Sequence, residues 1–300
     1  MFVRSSTIIL LTKATTAGAT SYPVGITNCG VQSWIPDAPE RAVTLNQGTT
    51  EMMLGLGLED QMVGTAYLDD DIWPEVAAAY DSIPVLSDTY PDIEVLQSVD
   101  PDFLYASYRS AFEARVDPEK TSRIDYFAML EEGCNTTITD DRGNYTYCRP
   151  ELHDTGIQTY LQTPSCEFEE HRPDEVTLDT LYHEIWDIAL IFDAFDKARV
   201  LVDNIESHFN AATKLVETYM PAGSKPKVLW LDKWDPLTPF VGACCGSVQA
   251  IIDYSGGENI YADLGEEKKA TWDSGDWGDI VEMDPDVIIM VQASWDNAGA

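Results

Sequence analysis

Lysine and arginine are scarce. The 300 residues hold 18 of them against 52 Asp and Glu, a formal net charge of −34. A chain so acidic repels phosphate backbones and anionic lipid at long range, so nucleic acid and acidic membrane surfaces are excluded as partners. Long apolar runs are missing as well: no uncharged apolar stretch reaches the roughly 18 residues that a membrane-crossing helix needs. Histidine occurs four times. His183-Glu184-Ile185-Trp186-Asp187 puts aspartate where a zinc-binding HExxH helix needs its second histidine, and reads as a helix surface; His153, His171 and His208 share no ligand spacing. No metal site built from protein side chains is expected, and no cofactor.

Two motifs fail for want of neighbours. A phosphate-cradling loop sets its glycines after a strand and before a helix. In "YSGGENIYADLG", residues 254–265, the order is helix, Gly-Gly, short strand, so Gly256 or Gly257 is the left-handed residue that closes a helix. Gly242-Ala243-Cys244-Cys245-Gly246 fits the cysteine form of a hydrolase nucleophile elbow. It is preceded by "DPLTPF" instead of a strand, and no histidine follows His208. A Cys244 hydrolase is therefore the alternative from another functional class.

Six cysteines, an even number, suit an oxidising compartment. Residues 1–19, "MFVRSSTIILLTKATTAGA", join one arginine, a brief apolar stretch and a small-residue cleavage site, and read as a signal peptide. Asn135-Thr136-Thr137 and Asn144-Tyr145-Thr146 are glycosylation acceptor patterns, and both lie between Cys134 and Cys148. A glycosylated loop closed by a Cys134–Cys148 disulfide is expected, on a secreted protein of eukaryotic, fungal type. Cys29 and Cys166 are available for a second bridge. Cys244 and Cys245 are adjacent, and for them a vicinal bridge and free thiols remain equal alternatives.

The chain writes one pattern twice. "AVTLN" (42–46) is a strand, and "TTEMMLGLG" a helix that Thr49 or Thr50 can cap and Gly55 or Gly57 can end. "MVGTA" (62–66) is a second strand, and "DIEVLQSVDPDFLYASY" runs helix, Pro turn, buried strand. In the second half "KVLWLD" (227–232) is a strand, "SVQAIIDYSGG" a glycine-ended helix, and "GDIVEMDPDVIIMVQASW" again helix, turn and buried strand. Phe103 follows Val43 at almost the separation at which Val287 follows Val228, and Asp100-Pro101-Asp102 matches Asp284-Pro285-Asp286. Proline removes a donor and pushes its predecessor out of the helix, so each Asp-Pro-Asp ends a helix and aims a strand. Alternating strands and helices imply two α/β lobes with largely parallel sheets. Between them "VTLDTLYHEIWDIALIF" (176–192) keeps Leu178, Leu181, Ile185 and Ile188 at helical spacing. Residues 196–220 form a long helix started by Asp196, about 24 residues and roughly 36 Å, a strut between lobes. The first half continues with a helix near 111–131 and a strand near 157–161. The second stops at Ala300 just after its strand, so an incomplete C-terminal lobe is expected.

"PERAVTLNQGTTEMMLGLGLEDQMVGTAY", "PDIEVLQSVDPDFLYASY", "PFVGACCGSVQAIID", "SGGENIYADLG" and "WDSGDWGDIVEMDPDVIIM" occur in this order. Their order and spacing resemble substrate-binding proteins of the iron-siderophore and cobalamin uptake class over most of residues 38–300, apart from the Cys134–Cys148 insertion. The resemblance implies an α/β chain of two Rossmann-like lobes joined by one long rigid helix, with the ligand in the cleft between them and no catalysis. It implies residues 20–195 as N-terminal lobe, 196–220 as linking helix and 221–300 as C-terminal lobe. The implied ligand is a ferric siderophore or similar metal chelate, with cobalamin or haem as alternative. The implied partner is a membrane transporter of the ABC type or a receptor. A monomer is expected, extracellular, or periplasmic if bacterial.

Ligands of open α/β sheets bind beyond the carboxyl ends of strands. That places Asn46, Gln47 and Thr49 after the first strand, Tyr67 after the second, and Tyr108 and Arg109 after the third. The second lobe offers Lys233 and Trp234 after its first strand and Trp295 after its last, with Phe240 and Trp272 on loops. Aromatic rings beside a few charges suit a large, flat, partly apolar chelate. In so acidic a chain, Arg109 and Lys233 would favour an anionic or carbonyl-rich ligand.

Overall fold

The computed structural model describes residues 19–91, 93–114, 136–140, 143–221, 223–268 and 270–292. Residues 1–18 of the expected signal peptide, Cys134, Asn135 and Trp295 lie outside them. Among the described residues no helix is long and apolar enough to cross a membrane.

The chain begins with an antiparallel hairpin, β1 (Val24–Asn28) and β2 (Val31–Ile35). Cys29 and Gly30, both at positive φ, make the two-residue turn, the geometry that matches the twist of paired strands. Cys29 is bridged to Cys166 across 137 residues, a closure that on chain-entropy grounds stabilises by about 5 kcal/mol. Cys148 is also disulfide-bonded.

The N-terminal lobe follows as β3 (Ala42–Leu45), α1 (Gln47–Gly55), β4 (Met62–Ala66), α2 (Ala77–Tyr80), β5 (Val85–Ser87), α3 (Ile93–Val99) and β6 (Phe103–Ala106). Then come β7 (Glu113–Ala114), β8 (Thr136–Asp140), β9 (Gly143–Tyr147), α4 (Arg149–Asp154) and β10 (Gln158–Leu161). Five of these strands form a parallel sheet in the order β10-β6-β3-β4-β5. Every residue of β3 and β6 is buried, as a parallel sheet covered on both faces requires. Ala42, Phe103 and Tyr105 pack on one face with Ile185, Ile188 and Ala198 from the two helices that come next in the chain, while Val43, Leu45, Leu104 and Ala106 pack on the other with Leu96 and Leu152. Strands β7, β9 and β8 form a small antiparallel sheet that holds Asn144 opposite Thr139. A helix was expected near 111–131; residues 111–114 instead hold the end of a 3-10 turn and β7, and 115–135 lie outside the described residues.

Two helix starts differ from expectation. Asn46, at φ 91°, is the N-cap of α1, and Thr49 and Thr50 lie inside the first turn with their hydroxyls on the Asn46 carbonyl. Helix α5 (Leu178–Phe192) opens with a Thr177–Thr180 capping box and ends at left-handed Asp193. Helix α6 (Phe195–Tyr219) is capped at Ala194 and not at Asp196, and its 25 residues reach about 37 Å. Its fully buried residues, Ala198 and Val202, lie in its first turns, whereas Leu215 and Tyr219 are exposed.

The C-terminal lobe comprises β11 (Lys227–Lys233), β12 (Phe240–Gly242), α7 (Ser247–Tyr254), β13 (Glu258–Asn259), α8 (Ala262–Lys268), β14 (Trp272–Ser274), α9 (Trp277–Met283) and β15 (Val287–Met290). Its sheet is mixed, where a largely parallel one was expected. β11 runs parallel to β13 and β15 but antiparallel to β12, which pairs antiparallel with β14. Residues 234–239 are too few for a crossover helix, so β12 must return antiparallel. Gly256, at φ 76°, is the residue that closes α7, and a Cβ there would meet Val216 of α6 at 2.7 Å. Both Asp-Pro-Asp turns start at a left-handed aspartate, Asp100 and Asp284.

Candidate functional site

A cavity of about 460 Å³ lies between the lobes, beyond the carboxyl ends of β6 and β10 and against the N-terminus of α7. The first lobe gives it Ser107, Tyr108 and Gln162; α5 gives Leu181 and Glu184; α6 gives Phe209; the second lobe gives Tyr254 and Trp272. The walls are mainly aromatic and apolar. Phe209 meets Tyr254 edge-on at 4.8 Å, which fixes α7 against the strut. Phe240 and Trp272, expected on loops, lie in β12 and β14 and stack with centroids 5.8 Å apart and planes inclined by 16°; they are diagonal neighbours across this pair, in which Phe240 opposes Ser274 and Trp272 opposes Gly242. Tyr108, 54% exposed, faces this platform from the other lobe. A second hollow of about 560 Å³ adjoins Asp100, Pro101, Asp102 and Gly156. It lies at the amino ends of the strands, the wrong end for a ligand site in such a sheet.

Of the residues singled out from sequence, the cavity brings together Tyr108 and Trp272, with Phe240 behind the latter. Tyr67, at φ 58°, packs edge-on against Tyr90 at 4.7 Å beside the first-lobe rim. Lys233 and Trp234 end and follow β11 at the register of Phe240, with Trp234 46% exposed. Three others serve the backbone instead. Asn46 is buried and accepts from the Tyr90 hydroxyl at 3.1 Å. The Thr49 hydroxyl donates to the carbonyls of Leu45 and Asn46. Gln47 accepts from the Asp69 and Asp70 amides and donates to Glu51 and the Asp71 carbonyl, clamping that loop. Arg109 donates to the Glu167 carbonyl at 3.4 Å. Neither Arg109 nor Lys233 lines the cavity, which holds no Lys or Arg among the described residues. The expected pull on an anionic ligand therefore has no source there. Trp295 lies outside the described residues.

The residue that sequence reading missed is Glu184. It was read as helix surface, yet it is buried at 4% exposure and lines the cavity. Tyr105 and Gln162, from β6 and the end of β10, both donate to its Oε1, the second at 2.7 Å, and so make its burial tolerable. Burial raises the Glu184 pKa, the two hydrogen bonds lower it, and Asp187 raises it further. Asp187, one turn on, accepts from the Tyr160 hydroxyl at 2.8 Å, and burial raises its pKa too. The Tyr108 phenol is also raised, by burial first and then by the carboxylates of Asp69 and Asp232 from the two lobes.

Cys244 and Cys245 form a vicinal disulfide, with Cys245 at φ 72°. The Cys245 carbonyl accepts the Val176 amide at 2.8 Å, a backbone bond from the second lobe to the entry of α5. A bridged, buried Cys244 has no thiolate to act as nucleophile, which removes the basis of the hydrolase alternative. Among the described residues no group of three His, Cys, Asp or Glu could hold a metal ion.

A sequence profile of the periplasmic binding protein family matches residues 144–299, more than half of the chain. The chain belongs to that family. No curated protein matches it. Among solved structures, a periplasmic binding protein from Veillonella parvula shares 24% identity over 88% of this chain and 75% of its own, with a TM-score of 0.63. An ABC-type Fe3+-hydroxamate transport system protein from Saccharomonospora viridis shares 21% over 89% and 79%, TM-score 0.61. The periplasmic haem-binding protein HutB of Vibrio cholerae shares 19% over 83% and 74%, TM-score 0.53. At these identities the likeness establishes the fold: two α/β lobes, as this periplasmic binding protein family member displays. Membership implies an extracellular or periplasmic location.

Proposed function

We propose that the chain is an extracellular substrate-binding protein that holds an iron chelate of siderophore type between its lobes and catalyses nothing. The observation that carries this is the inter-lobe cavity walled by Tyr108, Phe209, Tyr254 and Trp272. Exposed rings turned toward one another across a cleft stabilise the folded protein little; they suit a large ligand with flat or apolar faces. Two of the similar proteins named above are described as part of an Fe3+-hydroxamate transport system and as a haem-binding protein, which supports this ligand class. Tyr67, Trp234, Phe240 and Lys233 form the rim in this reading, and Asn46, Gln47 and Thr49 only support it. Residues 20–195, 196–220 and 221–300 are the N-terminal lobe, linking helix and C-terminal lobe. A membrane transporter of the ABC type receives the ligand, and the protein acts as a monomer.

Haem is the weaker ligand in this reading. Its propionates are anionic, and no histidine lines the cavity among the described residues. The test is quenching of tryptophan fluorescence during titration with a ferric trihydroxamate, a ferric tricatecholate and haem. Saturable quenching below micromolar concentration by a siderophore complex is the expected result. Flat titrations for all three would refute the proposal.

A further inference from the structure

The cavity is lined by the buried carboxyl of Glu184 and by no Lys or Arg among the described residues. Both hydrogen bonds to Glu184 fall on Oε1, Oε2 has none among the described residues, and Glu184 lines the cavity. The Ser107 hydroxyl is buried, lines the same cavity and has no hydrogen-bond partner among the described residues. Native interiors rarely leave a buried hydroxyl unmet, because it forfeits hydration without replacement, and rarely bury a carboxylate away from a cation. Against this negative charge, the N-terminus of α7 at Gly246–Ser247 faces the cavity. A helix terminus amounts to about half a positive charge, less than one carboxylate, and the whole chain adds a formal charge of −34.

Resting on the metal-chelate reading, we propose that the ligand is cationic: an iron chelate bearing a protonated amine, whose ammonium enters the floor against Glu184 Oε2 and Ser107 Oγ. The chelate's apolar faces then lie against Tyr108 and Trp272, and its oxygens meet the uncapped amides at the start of α7. The ligand supplies the counter-charge that the cavity lacks.

The test compares two probes on the full chain: the iron(III) complex of desferrioxamine B, which carries one free ammonium, and its N-acetylated form, which carries none. Wild type is expected to bind the ammonium form at least tenfold more tightly, and Glu184→Gln to narrow that ratio to within twofold. Ser107→Ala, a smaller change in the same floor, should reduce the ratio as well and serves if the Glu184 variant does not fold. A wild-type ratio below two, or tighter binding of an anionic ferric tricatecholate, overturns the proposal while leaving the metal-chelate reading intact. Failure of every chelate and of haem to bind overturns both.

Discussion

The carboxylate of Asp286 accepts the backbone N–H of Lys227 at 2.8 Å. Asp102 does the same in the other lobe, taking the amides of Glu40 and Arg41 at 2.8 and 3.0 Å. In each lobe the last residue of Asp-Pro-Asp thus ties the start of one parallel strand to the start of its neighbour, so β15 registers on β11 as β6 registers on β3. A charged acceptor on a backbone amide is worth about 1.5–3 kcal/mol. Asp286→Ala is expected to lower unfolding stability by that amount, read as a lower urea midpoint with unchanged slope. A shift equivalent to less than about 0.5 kcal/mol would show the tie to be incidental.

Arg149 is buried without remainder. Its guanidinium donates to Thr159 Oγ1 at 2.8 Å and to Asn28, lies 5.6 Å from the Phe112 ring centroid, and faces Glu167 at 3.6 Å. It therefore joins the N-terminal hairpin, β10 and the segment beyond Cys166. Removing one member of a buried pair strands the other charge, at a cost of about 3–5 kcal/mol. Arg149→Met should destabilise by that much, and adding Glu167→Gln should restore most of it. Additive losses in the double variant would contradict the pairing.

His153 gives the fold a pH limit. Its ring lies against the Gln32 carbonyl and Thr159 Oγ1. Burial first, then the neighbouring Arg149 charge, lower its pKa to about 4, against a carbonyl contact and Asp154 that raise it. Between the ordinary histidine value and about 4, the unfolded chain holds more protons than the folded one. Stability therefore falls as pH drops through that window, with a slope approaching about 1.4 kcal/mol per pH unit for one group. Glu184 and Asp187, whose pKa values are raised, contribute the opposite slope, so the comparison must be with His153→Gln. The variant should lose less stability between pH 7 and pH 5 than wild type; parallel losses would discard the assignment.

The strands, the doubled Asp-Pro-Asp turns and the closing role of Gly256 were legible because each rests on local chemistry: apolar runs, a missing N–H, a missing Cβ. The hairpin at 24–35 was legible too, through Val24, Ile26, Ser33 and Ile35 alternating inward around Cys29-Gly30, and was passed over. Strand ends located the rim, but they cannot say which way a polar side chain turns. Asn46, Gln47 and Thr49 sit where expected and spend their hydrogen bonds on backbone and loop. Glu184 was illegible for a different reason. Its burial depends on Tyr105 and Gln162, which reach it from strands distant in sequence, and no periodicity within α5 reports that. The mixed second sheet followed from the short 234–239 connection, a length visible in the sequence once β12 is recognised.

Trp272 offers the sharpest test of where the ligand lies. Its ring lines the cavity on one side and carries the stacked Phe240 on the other, so its loss removes an apolar wall without touching the hydrogen-bonded frame. A ring of this size against a chelate face contributes about 1–2 kcal/mol, and Trp272→Ala should weaken binding of a ferric siderophore at least tenfold. Gln47→Ala is the matching control. It releases the loop at Asp69–Asp71 and lowers the melting temperature, but changes the dissociation constant less than threefold. If the two variants exchanged these effects, the ligand would be seated on the first lobe near α1, and the aromatic platform of the second lobe would be only packing.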